Sequence, residues 1–193
     1  MSETGGGGSR GRLIVLSGPS GVGKDTVIRR LLEFAPELRR PVAFTTRLPR
    51  PGEQDGRDYS FVSEEKFLAM TRAGEFLETA LVHGHHYGTA CSRVDELRRS
   101  ERDVLLKIDV QGAAQLRQQG SDATFIFLAP PSQEVLLARL TARHTESPRE
   151  LAIRTRDAKR ELAEAGWYHH VVVNDRVDRA AREIAEIVAR DPR

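Results

Sequence analysis

Apolar residues gather into short runs separated by longer polar stretches with helical spacing. Residues 12–17, RLIVLS, form a run with β-branched content bounded by glycine, and the pattern predicts a buried strand. The loop GPSGVG follows, and KDTVIRRLLEFA predicts a helix ending near Pro36. DVLLKID (103–109) predicts a second buried strand, with a helix after it around Ala113 to Gln119. ATFIFLAP (123–130) predicts a third strand, stopped by two prolines, and Ser132 reads as the N-cap of a helix through SQEVLLARL. HVVVND (170–175) predicts a fourth buried strand. In the last helix Val177, Ala180, Ala181, Ile184, Ile187 and Val188 share one face. Strands alternating with helices predict an α/β fold with a parallel sheet flanked by helices.

Two stretches break the rhythm. Residues 40–98 are rich in Thr, Arg, Pro, Gly and Tyr and lack βα alternation, which predicts an inserted substrate-binding subdomain. Residues 142–160 are dense in Arg and Glu and read as a mobile lid. The expected organisation is a flexible tail over 1–11 and one domain over 12–193. Its core segments are 12–39, 99–141 and 161–193.

Composition narrows the function classes. The 193 residues suffice for one domain with a real core. Charged residues make up 30% of the chain, yet the net charge is +2 and the signs are mixed, so no nucleic-acid footprint stands out. No apolar run approaches a membrane span. Cys91 is the one cysteine, which excludes an internal disulfide and fits a reducing cytoplasm. These features predict neither a nucleic-acid nor a membrane partner. HGHH (83–86) reads as solvated loop histidines, Cys91 as an inert thiol and Trp167 as a packing residue.

The chemistry begins at residues 18–26, GPSGVGKDT. Gly18, Gly23 and Lys24 satisfy G-x-x-x-x-G-K between a predicted strand and a predicted helix. Glycines let backbone N–H groups curl around phosphate oxygens, the helix adds the positive end of its dipole, and the lysine reaches the outer phosphates. The segment through Gly18, Ser20, Gly21, Val22, Gly23, Lys24, Asp25 and Thr26 is therefore a nucleotide phosphate site, with the reaction left open. In TTRLPRPGEQDGRDYSFVS (45–63), a Pro-fixed extended segment separates Arg47 from Arg50, whose forks suit bidentate phosphate binding, and Tyr59 adds a phenol donor.

The stretches GPSGVGK, TTRLPRPGE, DGRDYSFVS, GEFLE, YGT, IDVQGA, FIFLAPPS and VVVND, in this order over nearly the whole chain, resemble guanylate kinase. The resemblance implies a three-layer P-loop kinase with a nucleoside-monophosphate-binding insert and a lid. It also implies transfer of the γ-phosphoryl group of ATP to GMP with Mg²⁺. Arg47, Arg50, Tyr59 and Tyr87 fall where the family grips the GMP phosphate. Glu78 falls where a carboxylate accepts from guanine N1 and N2 hydrogens, Thr89 at a donor to the guanine oxygen, and Asp109 at a second acceptor near the base amino group. Arg143 and Arg154 match lid arginines that close over the phosphates, and Asn174 a position near the adenine. With Lys24 and Arg47, the lid arginines make up the implied catalytic set.

Three positions depart from the family. Asp25 stands where Ser or Thr usually binds Mg²⁺, Lys107 replaces the first acid of a D-I-D strand, and Ala43 replaces a serine of the guanine pocket. The first two are coupled in character: an acid has moved onto the helix and a cation onto the strand. In one reading Asp25 is itself the Mg²⁺ ligand, tempered by Lys107. In the other the two form a salt bridge that occupies the metal site. Ribose 1,5-bisphosphate phosphokinases also carry Asp after the loop lysine and are the competing resemblance. They have no base for Glu78 and Thr89 to read. The loss of the serine at Ala43 leaves room for a kinase of a modified guanine-like nucleotide. Asp25 and Lys107 together leave room for a non-catalytic guanylate-kinase-like module that binds without turnover.

Overall fold

The computed structural model describes residues 10–82, 84–141 and 148–190, with backbone alone at 148–152 and 154. In chain order the elements are β1 (Leu13–Ser17), α1 (Lys24–Phe34), β2 (Phe44–Thr45), β3 (Ser60–Phe61), α2 (Glu64–Arg72), β4 (Phe76–Val82), β5 (His85–Ala90), α3 (Cys91–Arg99) and β6 (Val104–Lys107). There follow α4 (Val110–Gln118), β7 (Thr124–Ala129), α5 (Gln133–Thr141), α6 (Pro148–Ala163), a 3₁₀ turn (Glu164–Trp167), β8 (His170–Val173) and α7 (Val177–Arg190). The chain divides into two units. One takes the segment up to Leu13 together with Glu37–Leu105; the other takes Ile14–Pro36 and Leu106–Asp191.

The second unit carries most of a four-stranded sheet in the order β6-β1-β7-β8. β1 runs parallel to β7 with Leu16 opposite Ile126, and β7 parallel to β8 with Leu128 opposite Val172. Every residue of β1 is buried, which is why LIVLS is continuously apolar instead of alternating. Val27, Ile28 and Leu31 of α1 and Ala180, Ala181, Ile184 and Val188 of α7 are buried, and the two helices pack on one another. The stripe read from the sequence of α7 is therefore its buried face, with Val177 and Ile187 half-buried at its margins. Ser132 accepts a hydrogen bond from the Val135 N–H at 3.3 Å, the cap expected for α5.

One expectation is corrected. HVVVND is not a buried strand but the edge of its sheet: Val172 is fully buried, while Val171 is 48% and Val173 37% exposed. A run of three valines suits a pleated surface whether one face or both are covered, so the run could not distinguish the two.

The first unit holds a second four-stranded sheet in the order β3-β2-β5-β4. β2 is parallel to β3 and antiparallel to β5, and β4 is antiparallel to β5. Ser63 caps α2 by accepting from the Lys66 N–H, and Phe67 of that helix stacks on Phe76 with ring centroids 4.5 Å apart. The unit is tied at Asp103, whose buried carboxylate accepts from the Arg12 N–H at 2.9 Å and from its guanidinium at 3.1 and 2.5 Å. Beside it Arg39 and Val104 form an isolated parallel bridge: the Arg39 N–H donates to the Asp103 carbonyl (2.9 Å) and its carbonyl accepts from Leu105 (2.8 Å). Among the described residues no helix is long and apolar enough to cross a membrane.

Candidate active site

In the second unit the loop from Gly18 to Gly23 joins β1 to α1 and wraps the first turn of that helix. Gly18 has φ +140°, and a Cβ there would stand 2.3 Å from the Leu128 carbonyl oxygen, so β7 permits no side chain at the mouth of the loop. Lys24 folds back over the loop, its Nζ donating to the carbonyls of Gly18 (2.5 Å) and Pro19 (3.2 Å). Burial pulls the Lys24 ammonium below the usual lysine range. Glu161, Asp109 and Asp25 oppose that shift, and Lys107 adds to it.

The far side of the loop is braced from below. Asn174 is 3% exposed, and its Nδ2 donates to the Val22 carbonyl at 2.8 Å. Arg139 bonds the same carbonyl (3.2 Å) and the Asn174 carbonyl (3.1 Å). Asn174, which the resemblance sets near the adenine, also braces the phosphate loop.

Asp25 and Lys107 meet: Nζ lies 2.7 Å from Oδ1. The Asp25 side chain is 72% exposed in the first turn of α1, whereas that of Lys107 is 17% exposed. Thr26 is exposed on the same turn. Asp109 caps α4, accepting from the Gly112 N–H (2.9 Å) and from Gln111 Nε2 (3.0 Å). Burial raises its carboxyl above the ordinary range, opposed by the Gly112 bond and by Lys24. Glu161 of α6 completes the cluster. Its Oε2 accepts from the Ser20 N–H at 3.0 Å. Burial raises its carboxyl too, against the pull of Ser20 and Lys24, with Asp109 and Asp157 pushing further up.

In the first unit the Arg47 guanidinium sits fork to fork on Glu53, at 2.8 and 2.9 Å, and reaches the Tyr87 hydroxyl at 3.3 Å. The Arg50 N–H donates to the same Glu53 carboxylate at 2.8 Å, and the Arg50 side chain is exposed. Tyr59 and Tyr87 meet edge to face with centroids 5.9 Å apart, and Arg47 stands over the Tyr59 ring. Arg47 holds the Glu53 carboxyl below its usual range, outweighing partial burial. Glu78 and Thr89, paired across β4 and β5, are both buried, and the Thr89 hydroxyl donates to Glu78 Oε1 at 2.7 Å.

The structure therefore gathers Lys24, Asp25, Asp109 and Lys107 around the phosphate loop, and Arg47, Tyr59 and Tyr87 into one cluster. Arg143 and His83 lie outside the described residues. Arg154 is placed on α6 by its backbone. Three residues escaped sequence reading. Glu53 carried a local signal, since it follows the arginines in TTRLPRPGE. Glu161 and Arg139 carried none, because their partners lie 141, 117 and 35 residues away.

The family model described as guanylate kinase matches residues 10–191. A guanylate kinase of Nocardia farcinica is 47% identical over 180 residues, covering 92% of this chain and 93% of the relative. One of Geobacter sulfurreducens is 43% identical over 178 residues, covering 92% and 88%. The crystal structure of guanylate kinase from Anaplasma phagocytophilum superposes with a TM-score of 0.77 at 34% identity, covering 94% of this chain and 86% of that one.

Proposed function

The chain belongs to the guanylate kinase family and phosphorylates GMP with ATP, and we propose that the phosphate loop binds the donor while the Arg47 and Glu78 clusters bind the acceptor. Phosphoryl transfer asks little covalent chemistry of the protein; it needs in-line positioning and positive charge on the moving oxygens. The N–H groups of residues 18–26 and the Lys24 ammonium hold the ATP phosphates, with Asn174 fixing the loop through Val22. Arg47, Arg50, Tyr59 and Tyr87 hold the GMP phosphate. Glu78 accepts from the guanine N1 and N2 hydrogens, Thr89 turns its hydroxyl proton to the guanine oxygen, and Asp109 is the second acceptor for the amino group. Arg143 and Arg154 belong to the lid proposed over 142–160, where they stabilise the transferring group and help exclude water. The cytoplasm is the proposed setting, consistent with the lone cysteine.

The observation that carries the acceptor assignment is the buried Glu78–Thr89 pair, a carboxylate and hydroxyl side by side that match the adjacent N–H donors and carbonyl oxygen of a guanine edge, a pattern a sugar bisphosphate lacks. An ADP-release assay over GMP, dGMP, AMP, UMP and ribose 1,5-bisphosphate should show GMP preferred, with that preference lost in Glu78→Ala. Turnover of ribose 1,5-bisphosphate that survives Glu78→Ala would reject the assignment.

Mg²⁺ enters with ATP, and the residues fit it. Asp25 offers a hard carboxylate oxygen, largely exposed, in the first turn after the loop lysine. Among the described residues no group of three His, Cys, Asp or Glu side chains is placed to hold a metal ion, so Asp25 would act with phosphate oxygens and water, as Mg²⁺ prefers. When bound, the ion neutralises charge on the phosphates. Lys107 orients the Asp25 carboxylate and balances its charge. Asp25→Ser should lower turnover and the Mg²⁺ dependence of ATP affinity roughly tenfold or more, and Asp25→Ser/Lys107→Asp should recover both. Activity appearing only in the double variant would instead mean that the ion pair closes the metal site.

A further inference from the structure

The Ser20 N–H belongs to the loop whose amides would cradle the ATP phosphates, and in this structure it donates to the Glu161 carboxylate at 3.0 Å. Lys24, the cation of that loop, feels Glu161 more strongly than any other carboxylate and turns its own ammonium inward onto the Gly18 and Pro19 carbonyls. A carboxylate oxygen on a phosphate-loop amide, within the field of the loop lysine, reproduces the amide contact that a phosphate oxygen would make there. We infer that Glu161 is a stand-in for phosphate: it fills the donor subsite of the nucleotide-free protein, must give way when ATP arrives, and thereby sets the affinity for the donor.

The electrostatics make the exchange compulsory. A triphosphate carries several negative charges, and a half-buried carboxylate close to the loop lysine cannot share that space without repulsion. Asp109 and Asp157 also face Glu161 and add to its repulsion, so the carboxylate is held by Ser20 and Lys24 against its neighbours. Displacement therefore frees the Ser20 amide for the ligand, and part of the binding energy of ATP is consumed in moving Glu161. A residue that merely supported the loop would act with the opposite sign, since its loss would loosen the loop and weaken binding.

The inference rests on the phosphate loop being the ATP subsite, and the test separates the two. ATP and inorganic triphosphate are titrated calorimetrically, without GMP, into the parent, Glu161→Gln, Glu161→Ala and Lys24→Ala. Glu161→Gln keeps the shape and an acceptor oxygen but removes the charge. Both Glu161 variants should bind both ligands tighter, by roughly three- to tenfold. Lys24→Ala should bind both ligands weakly. Unchanged or weaker binding by Glu161→Gln, with Lys24→Ala impaired, overturns the Glu161 inference alone. Parent-like binding by Lys24→Ala overturns the loop assignment and the inference with it. A melting scan of each variant identifies misfolding, and Glu161→Gln decides the matter if Glu161→Ala does not fold.

Discussion

Lys24→Ala is expected to lower kcat by roughly 10³-fold or more while leaving the protein folded. Lys24 is the cation that the loop itself presents to the donor phosphates, and the other lysine in its electrostatic neighbourhood, Lys107, is bound to Asp25. Its loss leaves backbone amides facing a triphosphate, with the carboxylates of Glu161 and Asp109 no longer offset by Lys24. Stability should change little. Burial lowers the Lys24 pKa, which means that the charged ammonium is held at a cost in the folded protein, and alanine removes that cost. Steady-state kinetics with a melting curve check both halves. Activity within tenfold of the parent would show that the loop lysine is not the catalytic cation.

Arg47→Ala is expected to raise KM for GMP by roughly 10²-fold, because it removes the charge-assisted fork that Glu53 holds here and that is proposed to pass to the acceptor phosphate. Arg47→Lys should recover little of this, since an ammonium cannot reproduce the planar fork. The variant also releases Glu53. Its folded pKa is depressed, so the contribution of the ion pair is present at neutral pH, above the unfolded value, and is lost as pH falls through the folded one. Melting temperatures of the parent should thus drop more steeply on the acid side than those of Arg47→Ala. An unchanged KM would place the acceptor phosphate elsewhere.

The parts legible in the sequence are those whose physics is local. The phosphate loop needs particular backbone angles and donors within seven consecutive residues, so G-x-x-x-x-G-K announces it. The buried stripe of α7 follows from helical spacing alone, and the Ser132 cap from one hydroxyl before an apolar run. The small sheet of the first unit was opaque because β2 and β3 have two residues each, too few to show a period. The edge position of β8 was opaque because strand order is a tertiary property. Within the proposed site, the resemblance pointed to Arg47, Glu78 and Thr89. It gave no sign that Glu53 would hold Arg47, or that a carboxylate 141 residues along the chain would dock on the loop.

The bridge between Arg39 and Val104 has a meaning for inheritance. The residues proposed to grip the GMP phosphate, along with Glu78 and Thr89, are encoded in one continuous stretch, and its entrance and exit are neighbours in space, joined by two main-chain hydrogen bonds. A gene segment cut at those two codons could be exchanged for that of a relative with the ends already in register. Recognition of the acceptor, Asp109 apart, can in this way diverge by recombination as one cassette, while the phosphate loop passes unchanged from one kinase to the next.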